Sequence, residues 1–220
     1  MWLAPGSSKT WSSTRPDAVP ASTSSSEPGW TPFAQRRPEL GGRLRVFEID
    51  QPGTRAWKRR RLTELGYPVP DWLRLVPVDF EAGQSWLDRL VAAGFDPGRR
   101  AVVASTGVSM YLAKGTTAAT LRQIAGLAPG STLAMTFLLP VELVDEADRR
   151  GLETSTRGAR NSGTPIVSFY SPEEMLTMAR EAGFAHVRHV PGTALADRYF
   201  TGRPDGLRPS SGEDFLVATT

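Results

Sequence analysis

Short apolar runs alternate with amphipathic segments from Arg43 to the end of the chain. The apolar runs predict six strands, at 43–49, 73–80, 100–108, 131–139, 184–190 and 213–220. The segments with a helical period predict helices at 54–66, 85–95, 116–128 and 171–184. This alternation of strands and helices predicts an α/β fold with a mostly parallel sheet that helices cover on both faces.

Apolar side chains mark one face of each predicted helix. They are Trp57, Leu62 and Leu65 in the helix at 54–66, and Trp86, Leu87, Leu90 and Val91 in the helix at 85–95. The helix at 171–184 has Ser171 as its N-cap and Glu174 at the capping-box position, where the two residues would satisfy exposed backbone amides reciprocally.

Two regions break the alternation. Residues 1–40 are rich in Ser, Thr and Pro and show no period of two or 3.6, so we expect a disordered or poorly packed segment before an α/β domain at 41–220. A polar insertion at about 140–165 is expected to be partly helical. It precedes the helix at 171–184 and could cover a site.

The composition limits the classes of function. The chain has 220 residues and no cysteine, which excludes disulfides and thiolate sites, and its two histidines, His186 and His189, fall in a predicted strand, where a structural role is favoured over metal binding. No apolar run is long enough for a transmembrane helix, and the N-terminus does not resemble a secretory signal, so we expect no membrane partner and a cytoplasmic location.

The charge balance is mildly basic, with 26 basic and 23 acidic residues. The one concentrated patch is Lys58 to Arg61, on the helix at 54–66. Such a run usually forms a solvated helix face, and phosphate or nucleic-acid binding is the less favoured alternative because no recognised binding motif accompanies it.

Acidic residues follow two of the predicted strands. Asp50 ends the first strand, with Glu48 on the same face, and Asp79 and Phe80 end the second. Ligands of open parallel sheets bind at the carboxyl ends of the strands, where a carboxylate can accept the two hydroxyl hydrogens of a ribose. An acid and an aromatic ring could likewise hold an adenine.

Each of these acids also has a simpler interpretation. Asp50 precedes Gln51 and Pro52 and could form a turn or a helix cap. Asp79 could cap the segment that follows it, and Glu48 could form an ion pair with a neighbour rather than contact a ligand.

Several motifs in order resemble one family. They are VFEIDQPGTRAWKRRRL from Val46, LVPVDFE from Leu75, GVSMYL from Gly107, SFYSPEEMLTMAREAGF from Ser168 and RYFTGRPDGLRPSSGEDFLVA from Arg198. From about residue 33 onward the chain resembles the actinobacterial S-adenosylmethionine-dependent methyltransferases related to leucine carboxyl methyltransferases. The resemblance implies methyl transfer from S-adenosylmethionine to an oxygen or carboxylate of an unknown acceptor.

The resemblance also implies a fold and site residues. The fold would be the class I methyltransferase sheet, Rossmann-like, with seven strands and an antiparallel final hairpin. Asp50 would contact the ribose of the methyl donor, and Asp79 and Phe80 would lie at its adenine. After the third strand the family has an acidic residue, whereas this chain has Thr106, a donor-site candidate that keeps hydrogen-bonding capacity without charge.

The largest departure is at the N-terminus, where the family has a first strand that ends in a glycine loop. In the equivalent stretch, residues 24–32, Gly29 alone remains as a glycine. Arginine outnumbers lysine 23 to 3, as GC-rich codons would produce, and the family loop read one base out of register yields this stretch. We therefore expect a frame-shifted or truncated N-terminus and a degraded or missing first strand, and the alternative function is a catalytically impaired remnant.

Overall fold

The computed structural model describes residues 2–5, 33–79 and 82–220, with the backbone alone for residues 2–5. The described residues include one seven-stranded sheet. Its strands are β1 (Trp2–Pro5), β2 (Val46–Asp50), β3 (Leu73–Pro77), β4 (Ala101–Ser105), β5 (Thr132–Leu138), β6 (His186–Val190) and β7 (Glu213–Thr219). All six predicted strands are confirmed, as β2 to β7.

The described ranges contain seven α-helices. They are α1 (Phe33–Arg36), α2 (Pro52–Glu64), α3 (Trp86–Ala92), α4 (Lys114–Ala125), α5 (Glu146–Asn161), α6 (Pro172–Ala182) and α7 (Ala196–Tyr199). The predicted helices are α2, α3, α4 and α6, and α5 occupies most of the polar insertion. None of the helices in this part of the chain is long and apolar enough to cross a membrane.

The strands follow the order β3-β2-β1-β4-β5-β7-β6 across the sheet. β2 pairs in parallel with β3, and β4 with β5. β1 is antiparallel to both β2 and β4, so the two parallel pairs run in the same direction. β7 lies antiparallel between β5 and β6. The mostly parallel sheet with an antiparallel final hairpin is therefore confirmed.

The sequence predicted a degraded or missing strand at the centre of the sheet, but the structure has a strand there. β1 fills the position between β2 and β4, with Leu3 opposite both Phe47 and Val103. A strand inserted there pairs the amide and carbonyl groups that two facing edges would otherwise leave unpaired. The stretch at 24–32, which would have supplied the family's first strand, lies outside the described residues.

The main core lies between the sheet and the helices. Its helical contributions include Trp86 and Leu90 from α3, Leu121 and Ile124 from α4, and Met175 and Ala179 from α6. A smaller apolar cluster joins Ala34 of α1 to Val46 and Leu73. The predicted apolar stripes are confirmed in part, because two of their members, Leu65 and Val91, are each 46% exposed.

The ends of α6 explain why that helix was easy to predict. The Ser171 hydroxyl accepts a hydrogen bond from the Glu174 amide at 3.1 Å, and Gly183 ends the helix at a φ of 104°. The capping-box prediction for Glu174 is wrong in one respect. Its carboxylate pairs with Lys114 of α4 instead of turning back to the Ser171 amide.

Helix α2 buries two cations, Arg55 and Lys58, in addition to the apolar Leu62. Lys58 is fully buried and forms an ion pair with the buried Glu48 of β2, and Arg55 Nη1 donates to the same carboxylate oxygen at 3.0 Å. The interpretation of Lys58 to Arg61 as one solvated patch is therefore wrong for Lys58, although Arg59 to Arg61 are exposed. Burial lowers the pKa of the Lys58 ammonium, and the contact with Glu48 opposes that shift.

The Lys58→Met substitution tests this buried pair. It should lower the free energy of unfolding by about 3 kcal/mol, because it leaves a buried carboxylate with less positive charge to compensate it. The double variant Glu48→Gln/Lys58→Met should recover much of that loss. Urea denaturation measures both, and Arg59→Met on the exposed face is the control, expected to change stability by less than about 0.5 kcal/mol.

Deletion of residues 1–5 tests the central strand. Amide hydrogen exchange should accelerate in β2 and β4, which pair with β1, and should change least in β6 and β7, which do not contact it. Unchanged exchange in β2 and β4 would show that β1 does not bridge them in solution.

Candidate functional site

Three sequence-predicted site residues lie at one edge of the sheet. Because β2, β3 and β4 run in the same direction, their carboxyl ends meet there, and they carry Asp50, Asp79 and Thr106 respectively. This is the edge at which open α/β sheets bind ligands. Phe80 and Gly29, two further candidates from the sequence, lie outside the described residues.

Asp50 is held in place on two sides. Its Oδ1 accepts a hydrogen bond from the Gln51 amide at 2.8 Å, and its Oδ2 accepts one from Arg55 Nη2 at 3.0 Å. The side chain is 30% exposed. An ionised carboxylate has about four acceptor positions. Asp50 thus retains capacity for ligand hydroxyls while its orientation is set by the protein.

Glu48 lies beneath Asp50 and away from solvent. Its Oε2 is the oxygen that receives both Arg55 and Lys58. The ion pair considered from the sequence is therefore present. Since Arg55 contacts both carboxylates, it links the buried Glu48 to the partly exposed Asp50.

Asp79 stabilises the turn that follows β3. Its Oδ1 accepts a hydrogen bond from the Ala82 amide at 3.2 Å, and the residue is partly exposed. This contact is the capping role considered from the sequence. Asp79 lies two residues beyond Pro77, which pairs with Asp50 at the end of β2.

The loop after β4 is tied to β5. Gly107 has a φ of 67°, a left-handed conformation that favours glycine, and its amide donates to Thr136 Oγ1 at 2.8 Å. The Ser109 hydroxyl donates to the Thr136 carbonyl at 2.7 Å. Thr106 and Tyr111 are exposed beside these anchored residues, so both are accessible at the edge.

The antiparallel direction of β1 changes the middle of this edge. Trp2 lies opposite Glu48 and Ala104, whereas Pro5 lies opposite Ala101 at the start of β4. β1 therefore ends at the opposite edge. A parallel strand would instead end beside Asp50 and Thr106, where the loop after it could reach a ligand.

A groove of about 490 Å³ opens next to β5 at the same edge. Pro140, Val141 and Glu142 of the segment after β5 form one side, and α5 forms another. The complete lining is Pro140, Val141, Glu142, Leu152, Glu153, Thr156, Arg157, Arg160 and Phe169. The sequence analysis expected the insertion to cover a site but did not identify these side chains.

The polar lining of α5 has a helical period that was visible in the sequence. Glu153, Thr156, Arg157 and Arg160 are spaced at i, i+3, i+4 and i+7, so they share one face. None of the 16 residues of α5 is buried. The helix contacts the main core through the half-buried Leu152, and its polar face lines the groove.

The charged groove residues are unpaired within the described part of the chain. Arg157, Arg160, Glu142 and Glu153 form no ion pair or side-chain hydrogen bond there. Arg149 of the same helix differs, since its Nε donates to the Val144 carbonyl at 2.9 Å. The cations that line the groove are therefore accessible to an anionic ligand.

The start of α5 is fixed to the loop before β7. Asp148 accepts hydrogen bonds from Arg208 Nη2 at 2.7 Å and from the Ser211 amide at 2.9 Å. The Arg208 guanidinium, followed by the Ser211 amide, holds the pKa of the Asp148 carboxyl well below its usual range.

The two histidines belong to β6, the edge strand of the sheet beside β7. His189 of β6 lies 2.7 Å from Asp214 Oδ2, and Asp214 Oδ1 accepts the Gly192 amide at 2.8 Å. A Cβ at Gly192 would lie 2.2 Å from the Glu213 carbonyl oxygen, so the turn there requires glycine. The arrangement agrees with the structural role expected for His189.

Comparison with known proteins finds similarity to methyltransferases. Residues 29–125 match the leucine carboxyl methyltransferase family. The chain is 27% identical over 180 residues to the "Putative S-adenosyl-L-methionine-dependent methyltransferase YktD" of Bacillus subtilis, with 81% of this chain and 59% of that protein covered. The chain is also 34% identical over 186 residues to a "Putative S-adenosyl-L-methionine-dependent methyltransferase" of Mycolicibacterium gilvum. This match covers 80% of this chain and 58% of that protein.

A solved structure shares the fold. The S-adenosylmethionine-dependent methyltransferase SibL, in its apo form, superposes with a TM-score of 0.50 at 19% identity, and the match covers 85% of this chain and 45% of SibL. The chain thus spans less than three fifths of the length of the two sequence relatives and less than half of this structural neighbour.

The low pKa of Asp148 predicts a pH-dependent anchor. A carboxyl whose pKa is depressed by folding adds stability above its unfolded pKa, and that stability is lost as the pH falls toward the folded value. Acidification below the ordinary aspartate pKa of 3.8 should therefore progressively weaken the attachment of α5 to the loop before β7 in the wild type. Hydrogen exchange at Ser211 measures this release, and Asp148→Asn should show the faster exchange already at neutral pH, with less dependence on pH.

Proposed function

We propose that the chain, which is similar to S-adenosyl-L-methionine-dependent methyltransferases and over residues 29–125 to the leucine carboxyl methyltransferase family, is such an enzyme and binds the adenosyl methyl donor at the carboxyl edge of β2, β3 and β4. The observation that carries the proposal is Asp50, a partly exposed and oriented carboxylate at the end of a parallel strand. The proposed reaction is methyl transfer to an oxygen of an acceptor.

The residues at the edge fit the nucleoside part of the donor. Asp50 would accept hydrogen bonds from the ribose hydroxyls, with Arg55 and the Gln51 amide keeping its oxygens in position. Asp79, one strand further out, would lie toward the adenine, together with Phe80 by family resemblance. Glu48 would act through Arg55, since its buried carboxylate is already engaged by Arg55 and Lys58.

The donor, when bound, supplies a methyl group already activated by a sulfonium. The protein's task is then to hold donor and acceptor in line, which accounts for much of the rate in such a reaction. Thr106 and Tyr111 are exposed after β4 and could orient the two molecules. No nucleophilic side chain is required for this role.

The alternative function is an impaired remnant that keeps the fold but not the complete donor site. A specific observation favours it, namely the antiparallel direction of β1. The amino-acid part of the donor would need amides from a glycine loop at the end of a parallel strand. β1 ends at the other edge, and Gly29, which remains a candidate for this contact, lies outside the described residues.

Calorimetric titration with S-adenosylhomocysteine, the unreactive product form of the donor, separates the two functions. The wild type should bind it, and Asp50→Asn should weaken binding by about tenfold or more, because a hydrogen bond to a charged group contributes about 1.5–3 kcal/mol. Asp88→Asn, an exposed carboxylate on α3, is the matched control and should bind as the wild type does.

Each other outcome has a definite meaning. Equal affinity of Asp50→Asn and the wild type would remove Asp50 from the ribose. Absence of binding by a correctly folded wild type would favour the remnant over the enzyme.

A further inference from the structure

We propose that Lys58 is a positioning residue for the donor site, a role that it fulfils by keeping Arg55 shared between Glu48 and Asp50. The inference rests on the proposed function, in which Asp50 accepts the ribose hydroxyls. Lys58 itself would touch no ligand, because its side chain is fully buried, whereas the Asp50 side chain is 30% exposed.

Four charged side chains connect the core to the carboxyl edge of the sheet. Lys58 forms an ion pair with Glu48 Oε2, and Arg55 Nη1 donates to the same oxygen at 3.0 Å. Arg55 Nη2 donates to Asp50 Oδ2, also at 3.0 Å. Two cations therefore face two carboxylates, and the guanidinium of Arg55 is divided between the inner carboxylate and the outer one.

The inner carboxylate could bind more of the guanidinium than it does. A guanidinium is a planar fork that pairs best with a single carboxylate through two parallel hydrogen bonds. Glu48 Oε1 is buried and accepts no hydrogen bond within the described part of the chain. Glu48 thus has an oxygen that could accept a second nitrogen of Arg55, in competition with Asp50.

Lys58 decides this competition. A buried carboxylate needs compensating positive charge, and Lys58 supplies part of that charge to Glu48. Without Lys58, a bidentate pair between Arg55 and Glu48 would be the favoured arrangement. Arg55 Nη2 would then leave Asp50, and the Asp50 carboxylate would lose one of the two contacts that orient it.

A purely structural role of Lys58 predicts a different result. General loosening of the fold would weaken the binding of all nucleoside ligands by similar factors. Loss of orientation at Asp50 would weaken only those ligands whose ribose hydroxyls donate to that carboxylate. The ratio of the affinities for two ligands that differ in these hydroxyls therefore separates the two roles.

S-adenosylhomocysteine and its dideoxy analogue, which lacks both ribose hydroxyls, form such a pair. Calorimetry on the wild type should show S-adenosylhomocysteine binding about tenfold or more tightly than the analogue, as expected for hydrogen bonds to a charged group. Lys58→Met should lose most of this preference by weakening the binding of S-adenosylhomocysteine alone. Arg59→Met, at an exposed neighbour on α2, is the control and should keep it.

Two further variants keep the test decisive where Lys58→Met folds poorly. Glu48→Gln/Lys58→Met removes the buried negative charge that would capture Arg55, so the preference for S-adenosylhomocysteine should return. Lys58→Gln makes the same change of charge as Lys58→Met but keeps a hydrogen-bond donor for Glu48. It should lose part of the preference.

A measurement without ligand reports on Asp50 directly. The Gln51 amide donates to Asp50 Oδ1 at 2.8 Å, so its exchange with solvent depends on the orientation of that carboxylate. Exchange of the Gln51 amide, measured by NMR, should be faster in Lys58→Met than in the wild type. It should return to the wild-type rate in Glu48→Gln/Lys58→Met and stay at that rate in Arg59→Met.

The inference is overturned if Lys58→Met keeps the wild-type preference or the wild-type exchange at Gln51, or if the double variant recovers neither. These outcomes leave the donor site at Asp50 in place. Equal affinity of the wild type for the two ligands, or no binding of either, would instead remove the proposed donor contact. The exchange rates at Gln51 would then still decide whether Lys58 orients Asp50.

Discussion

An interior strand edge cannot remain unpaired, and this requirement shapes the whole sheet. β2 and β4 face each other across one strand position, and the backbone groups between them need partners that water cannot supply in the core. β1 provides them while running antiparallel to both neighbours. A central strand of either direction satisfies the backbone pairing. Only a parallel strand, however, would end at the edge that carries Asp50 and Thr106, because the direction of a strand decides at which edge it ends. The fold and the donor site therefore make different demands on the same strand.

The charges around β2 follow from a second constraint. Residues i and i+2 of a strand share a face, so Glu48 and Asp50 both project toward α2, one inside and one at the rim. A buried carboxylate needs compensating charge, and α2 supplies it with Arg55 and Lys58, three residues apart on one face. Arg55 also contacts Asp50. The orientation of a candidate ligand-binding group is thus coupled to the electrostatics of the core.

The parts of the structure that local periodicity determines could be predicted. The apolar run of β4 and the cap at Ser171 are examples. Lys58 was misassigned because a run of basic residues looks solvated, and its burial depends on an acid ten residues away. β1 was missed because four residues carry no measurable period and their pairing is non-local. The groove was missed because α5 has no buried stripe. Among site residues, the position of Asp50 was predicted, but its engagement by Arg55 was not.

The two halves of the carboxyl edge differ in how their charges are used. On the side of β2, Asp50 and Glu48 already form ion pairs with cations of the protein. Near β5, the described partners of Arg157 and Arg160 include no carboxylate. The helix that carries them is fixed through Asp148 to the loop before β7, and not to β1. A change in the central strand can therefore alter the donor half while the other half keeps its shape.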